Sequence, residues 1–161
     1  MLFEPVSLAT IGAALALIGG LVGSSIGIGI AGSAGTATLS EDSGQFRNVI
    51  ILASLPMTQT FYGLIVLILI VTGAATNMDA IVADIGEGAG AMILGIGLMA
   101  GAAECFSAIY QGHVCASGIS LLPKTKGRIL TNAIMLAVFV ELLGVLGFVF
   151  AIMSMSMLGL M

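Results

Sequence analysis

Four long apolar runs, parted by three short polar breaks, account for nearly the whole chain. The runs extend near Leu8 to Leu39, Val49 to Thr76, Gly88 to Leu122 and Ile129 to Leu158. Each is long enough to cross a hydrocarbon core of about 30 Å as a helix, and several exceed that minimum, so their ends are expected to project into water. The breaks carry charge and turn residues, Ser40-Glu41-Asp42-Ser43-Gly44, then Asn77-Met78-Asp79, then Pro123-Lys124-Thr125-Lys126-Gly127-Arg128, and read as short hairpin connections. The pattern predicts an all-α membrane protein of four transmembrane helices.

Displacing the chain against itself by 83 places Ser24 on Ser107, Ile26 on Ile109, Gly29 on Gly112, Gly35 on Gly118 and Leu39 on Leu122. A displacement of 84 places Tyr62-Gly63-Leu64-Ile65-Val66 on Leu146-Gly147-Phe148-Val149-Phe150. The expected organisation is therefore two fused helical hairpins, residues 1–78 and 79–161. The first run has Gly19, Gly23, Gly27, Ala31 and Gly35 at every fourth residue, and the third is also rich in Gly and Ala, whereas the second and fourth carry bulky aliphatic side chains. Small-residue stripes let helix backbones approach closely, so the first and third helices suit a crowded inner layer and the other two suit lipid. A ring of many copies is the expected assembly, because so much small surface exceeds what one four-helix molecule needs.

Composition agrees with a membrane setting: of 161 residues 59% are hydrophobic and only 7% charged. The four basic residues, Arg47, Lys124, Lys126 and Arg128, flank the first and third breaks, while Glu4, Asp79, Asp84 and Glu87 lie at the opposite end. By the positive-inside bias both termini are expected outside and both basic loops in the cytoplasm. The opening Met1-Leu2-Phe3-Glu4-Pro5 has no basic segment or cleavage pattern, so the first helix is expected to be retained. Cys105 and Cys115 are expected as free thiols, on roughly opposed faces of one helix.

Against this background Glu141, inside the fourth run, needs an explanation. Water cannot solvate it there, and no Lys or Arg occurs in any apolar run, so a small cation or a proton is the expected partner. In the second run Leu55, Thr58, Gln59 and Tyr62 share one helical face, and Pro56 weakens the commitment of the preceding carbonyls to the helix. Gln111 brings a second amide to similar depth. This surplus of oxygen favours Na+ over H+, because hard cations take oxygen ligands whereas a proton needs only a carboxylate and one acceptor. Glu104 lies two turns before Gln111 on the same face; it is read as a protonated carboxyl bonding an adjacent helix or reaching toward the interface, with a second ion contact as the alternative. His113 is expected to point away from Gln111, and the Met-rich stretch Met153 to Met161 to face lipid. No phosphate loop, zinc spacing or nucleophile with a base is present, so catalysis by the chain itself is not expected.

The duplicated hairpins, the Gly-striped first helix, Leu-Pro-x-Thr-Gln-x-x-Tyr-Gly at 55–63, Gln111-Gly112 and Val140-Glu141 together resemble the duplicated proteolipid of V-type ATPases, nearest to the sodium-pumping bacterial form. The resemblance implies a rotor ring of identical subunits, turned by ATP hydrolysis in a separate soluble sector through central stalk subunits. Each Glu141 would pass a stator subunit with an essential Arg. It further implies that Glu141 is the ion carboxylate, that Thr58, Gln59 and Gln111 give side-chain oxygens, that Leu55 gives its carbonyl, and that Tyr62 steadies the closed carboxylate. The other expected surroundings are membrane lipid and a bacterial cell membrane, with no nucleic acid. Glu104 departs from the family pattern. The competing expectations are the same rotor carrying H+, a small four-helix transporter or channel, and a purely structural proteolipid.

Overall fold

The computed structural model describes residues 4–160, and the described residues contain helices and turns but no strand. The first span is one helix, α1 (Pro5–Glu41), opened by a proline at its first turn. At 37 residues it is about 55 Å long, well beyond the hydrocarbon core. The second span runs over Ser43–Ala75 and is broken three ways. After a 3-10 turn at Ser43–Gln45 comes α2 (Phe46–Ser54), then a second 3-10 turn at Leu55–Met57, then α3 (Thr58–Leu69), ending in a π-helical segment at Ile70–Ala75. The break at Leu55–Met57 is the disturbance expected of Pro56, which has no N–H to give the α-helical ladder. A short helix α4 (Met78–Ile85) follows, then α5 (Ala89–Ser120), the four-residue α6 (Leu122–Thr125) and α7 (Leu130–Met157).

The connections are tighter than the sequence suggests. Helical structure continues through Ser40 and Glu41, and the first hairpin turns at Asp42, whose carboxylate accepts from the Gly44 N–H at 3.0 Å and the Gln45 amide at 2.9 Å. In the third connection Lys126 and Gly127 take left-handed backbone angles, φ 51° and 80°. Glycine is required at 127 because a Cβ there would also lie 2.9 Å from the Asn48 side-chain nitrogen.

Helices α1 and α5 run side by side with almost no side chain between them. A Cβ on Gly12 would lie 2.8 Å from the Ile93 carbonyl oxygen, and one on Gly23 would lie 2.5 Å from that of Cys105. Gly19 faces the backbone of Gly101, and Gly27 faces Ala108 and Gly112. The second span packs antiparallel on α1, with Gly63 against Ala16 and Gly20 against Gln59 and Thr60. Gly35 packs on Val49. The every-fourth-residue stripe of the first span is thus absorbed within one chain, and no second copy is needed to occupy it. The inner pairing of the first and third spans, by contrast, is as expected.

Helix α7 packs on α5 through Gly144 and Gly147 and turns Phe139, Leu142, Leu143, Leu146 and Phe150 outward. Of the four spans the third is the most buried and the fourth the least. Met155 is fully buried and contradicts the lipid-facing reading of the Met-rich end; Met153 and Met157 are exposed, and Met161 lies outside the described residues. The expectation for the opening segment falls largely on Met1 to Phe3, also outside them. The two thiols are free, Cys115 buried and Cys105 half-buried. Ten residues make just under three turns, so they project on neighbouring rather than opposed faces.

The core is divided. One apolar cluster gathers Ala9, Ala13, Ala16, Val66, Ile70, Ile93, Ala100 and Ala151 toward the end that holds the chain termini. The other gathers Ala31, Val49, Leu52, Cys115, Ile119, Leu122 and Ala137 toward the basic loops. Between them lies a buried polar layer containing Gln59, Glu104, Ser107 and Gln111.

The backbone contact between α1 and α5 gives a direct test. Gly23→Leu places carbon where the Cys105 backbone stands, and is expected to destabilise the folded chain by about 3 kcal/mol. Thermal unfolding of the detergent-solubilised protein checks this, and an unchanged midpoint would show that the two helices do not touch there.

Candidate functional site

Three elements meet in the polar layer. The second span contributes Leu55, Thr58, Gln59 and Tyr62, α5 contributes Glu104, Ser107 and Gln111, and α7 contributes Glu141. Because Pro56 forces a 3-10 turn, the Leu55 carbonyl accepts from the Thr58 N–H, and it also accepts from the Thr58 hydroxyl at 3.2 Å. The Thr58 hydroxyl lies 3.1 Å from Gln59 Oε1, so three oxygens cluster at the start of α3. Gln59 is fully buried; its Nε2 donates to Gln111 Oε1 at 3.0 Å and to Ser107 Oγ at 3.2 Å.

Glu141 sits at the outer edge of this network, half-buried on α7. Gln111 Nε2 donates to its Oε2 at 3.2 Å, and the Tyr62 hydroxyl donates to its Oε1 at 3.3 Å. The Tyr62 ring is stacked on Phe148, centroids 5.4 Å apart and planes 26° off parallel, which fixes the direction of the hydroxyl. Each oxygen of the carboxylate therefore has one donor, and neither donor is charged. This arrangement orients an anion without neutralising it, leaving the charge to be balanced by a small cation or a proton.

All the residues singled out from the sequence converge here, Leu55, Thr58, Gln59, Tyr62, Gln111 and Glu141, joined by the bonds just given. Glu104 reaches the same layer but neither bonds an adjacent helix nor approaches an interface. It is 0% exposed, and neither of its oxygens has a hydrogen-bond partner among the described residues. A carboxyl so deep on an inner helix is walled in by α7, which explains why the reading toward the interface does not hold. His113 is exposed, 6.3 Å from the Tyr110 ring, and takes no part.

Sequence reasoning missed Ser107. Its hydroxyl donates to the Val140 carbonyl at 3.0 Å while accepting from Gln59, and so ties α7 and the second span to α5. The signal was available, since Glu104, Ser107 and Gln111 are spaced three and four apart and share one face. Phe148 was missed as well, for it reads as one more lipid-facing aromatic.

Four helices long and apolar enough to cross a membrane, with a half-buried carboxylate among them held by uncharged donors, define a class: a small integral membrane protein with an ionisable group between its spans. The chain belongs to the ATP synthase C-subunit family, whose sequence profile matches residues 11–70 and again 94–154. It is 34% identical over 128 residues to the V-type sodium ATPase subunit K of Enterococcus hirae, covering 80% of this chain and 77% of that protein. It is also 33% identical over 151 residues to the A-type ATP synthase subunit K of Methanocaldococcus jannaschii, covering 93% of this chain. The chain spans 62% of that longer relative. It is accordingly a non-catalytic, membrane-embedded rotor proteolipid of the V/A type, from a family that forms oligomeric rings within ATPase complexes.

Tyr62→Phe keeps the ring stack and removes only the donor to Glu141. The carboxyl is then expected to react with a carbodiimide about tenfold faster, read by mass spectrometry of the adduct. A rate equal to that of the unmodified protein would mean that the hydroxyl does not restrain the carboxylate.

Proposed function

We propose that this protein carries Na+ across the membrane on Glu141 during ATP-driven rotation of its ring. The observation that carries the reading is Glu141 itself, a carboxylate in the fourth span whose hydrogen bonds among the described residues come from Tyr62 and Gln111, beside the oxygen cluster of Leu55, Thr58 and Gln59. The ion is cargo, and Glu141, Gln111, Gln59, Thr58 and the Leu55 carbonyl are the residues proposed to hold it, with Tyr62 as support. A neutral oxygen-lined site with a single negative charge suits a monovalent hard cation. Similarity to a sodium ATPase subunit supports the same choice.

The chemistry of one turn follows from electrostatics. With its ion, Glu141 is neutral and can pass through lipid; without it, the carboxylate is charged and is retained at a hydrated interface, where an Arg of the stator would balance it. Loading and release are therefore confined to the stator, and rotation does not leak ions. Within this proposal central stalk subunits join the ring to the soluble motor, the ring sits in a cell membrane with both termini outside, and the loops bearing Arg47, Lys124, Lys126 and Arg128 face the cytoplasm. We also read the chain as two fused hairpins, a reading supported by two matches to one family that start 83 residues apart, at 11 and 94. Only the second hairpin has the carboxylate, since Met57 stands at the matching place in the first. One ion per four helices means fewer ions per turn, and more ATP energy for each, than one per hairpin.

Carbodiimide labelling of the solubilised ring, with and without Na+ at a pH where protons are scarce, is the decisive experiment. Modification at Glu141 that Na+ suppresses is expected; modification there that responds to pH alone would replace Na+ by H+. Glu141→Gln is expected to abolish coupled pumping while the ring still assembles, and sustained pumping would falsify the assignment. Gln111→Ala removes an oxygen and the donor to Glu141 together, and is expected to raise the Na+ concentration for half-maximal protection at least about tenfold. Unaltered protection would exclude Gln111 from the site.

A further inference from the structure

Glu104 has no place in the cycle above, yet it is the most completely enclosed acid among the described residues. It is 0% exposed, and among the described residues neither of its oxygens has a partner. Opposite it on α7 stands Gly144, where a Cβ would lie 2.8 Å from Glu104 Oε2 and 3.0 Å from Ser107 Oγ. The carboxyl and the serine hydroxyl therefore converge on one point that a glycine leaves open. No Lys or Arg lies in any of the apolar runs, and the titratable groups on the packed elements that share this layer, Tyr62 on the second span and Glu141 on α7, are neutral or negative. An unpaired anion in such a place is not sustained.

Two neutralisers remain, a second metal cation and a proton. Hard cations are held by several oxygens, five in the site proposed above, whereas only Glu104 Oε2 and Ser107 Oγ converge here on a fully buried point. A proton requires one acceptor. The Ser107 hydroxyl donates to Val140 O and accepts from Gln59 Nε2, which leaves it one free lone pair.

We propose that Glu104 is a resident proton site, a carboxyl kept neutral throughout the rotary cycle that donates its O–H to Ser107 Oγ and so positions the Gln59 amide. The structure holds the path from Ser107 through Gln59 and Gln111 to Glu141; a turn of the Glu104 side chain toward Ser107 makes the proposed bond and extends that path to Glu104. With Ser107 fixed, Gln59 Nε2 stays turned toward α5 and its Oε1 stays beside Thr58, on the side of the proposed cation. Glu104 is a positioning residue in this scheme and does not touch the cargo. Its effect on ion affinity rests on the sodium reading above; its proton does not.

The test is infrared difference spectroscopy of the purified ring bearing Glu141→Gln, which removes the cargo carboxyl. A protonated-carboxyl C=O band is expected that persists from mildly acidic to mildly alkaline pH, is insensitive to Na+, and vanishes when Glu104→Gln is added. Ser107→Ala should shift that band to higher frequency by removing its acceptor. Absence of the band, or its disappearance at alkaline pH with uptake of a second Na+ per chain, overturns the proposal; a band unmoved by Ser107→Ala removes the link to Gln59. In the otherwise unmodified ring, Glu104→Gln keeps a donor for Ser107 and is expected to retain Na+ affinity, while Glu104→Leu is expected to weaken it about tenfold in assembled rings. Equal affinity for the two variants would deny Glu104 its positioning role, and failure of the sodium reading itself would leave the infrared result standing.

Discussion

A polar side chain within a hydrocarbon slab has to find its partners inside the protein, and in this molecule that requirement organises the polar layer around Gln59, Ser107 and Gln111. Gln59 and Gln111 each bond on both ends of the amide, and Ser107 bonds in two directions. The resulting layer is only as wide as three elements brought together by glycines, with two apolar clusters closing it off above and below. Glu141 is placed at its rim, where it keeps protein donors on one side and remains half-buried on the other. If Glu141 carries the ion as proposed, this rim position suits it, since a carboxylate at the depth of Glu104 has no exposed surface through which to exchange a load.

Glycine does the enabling work because it removes the layer of side chains that normally keeps helices about 8–10 Å apart. In α1 and α5 the contacts at Gly12, Gly23 and Gly27 are backbone to backbone, so the register of the two helices is set by main-chain shape. Farther out, Gly144 performs a narrower task, making room for two oxygens of α5. The side of the protein lined by Phe106, Tyr110, Phe139 and Leu143 remains uncovered within one chain, as suits a protomer that has neighbours or lipid on that side.

Much of this could be read from the chain. Helical spans follow from apolar length alone, and Glu141 stands out because nothing basic shares its surroundings. Gln59, Gln111 and Tyr62 stand out because polar groups at matching depth in a membrane are rarely independent. Other features resist such reading. The π segment at Ile70–Ala75 has no compositional mark, and Phe148 differs from its lipid-facing neighbours only in what it stacks upon. The position of Glu104 depends on a missing Cβ in another helix, a fact about packing that periodicity in α5 cannot express. Ser107 is a plainer omission, since its face was known and only its chemistry was overlooked.

The glycine contact has a mechanical consequence. Side chains are the compliant part of a helical interface, and α1 and α5 meet nearly without them, so the two helices form a stiff inner post. The second span, interrupted by 3-10 turns and a π segment, has a less regular hydrogen-bond ladder and is the softer element. The Ser107 hydroxyl joins α7 to the post through the Val140 carbonyl, one residue from Glu141, while the second span lies alongside. Regular and interrupted hydrogen-bond ladders are thus assigned to different helices of one protomer.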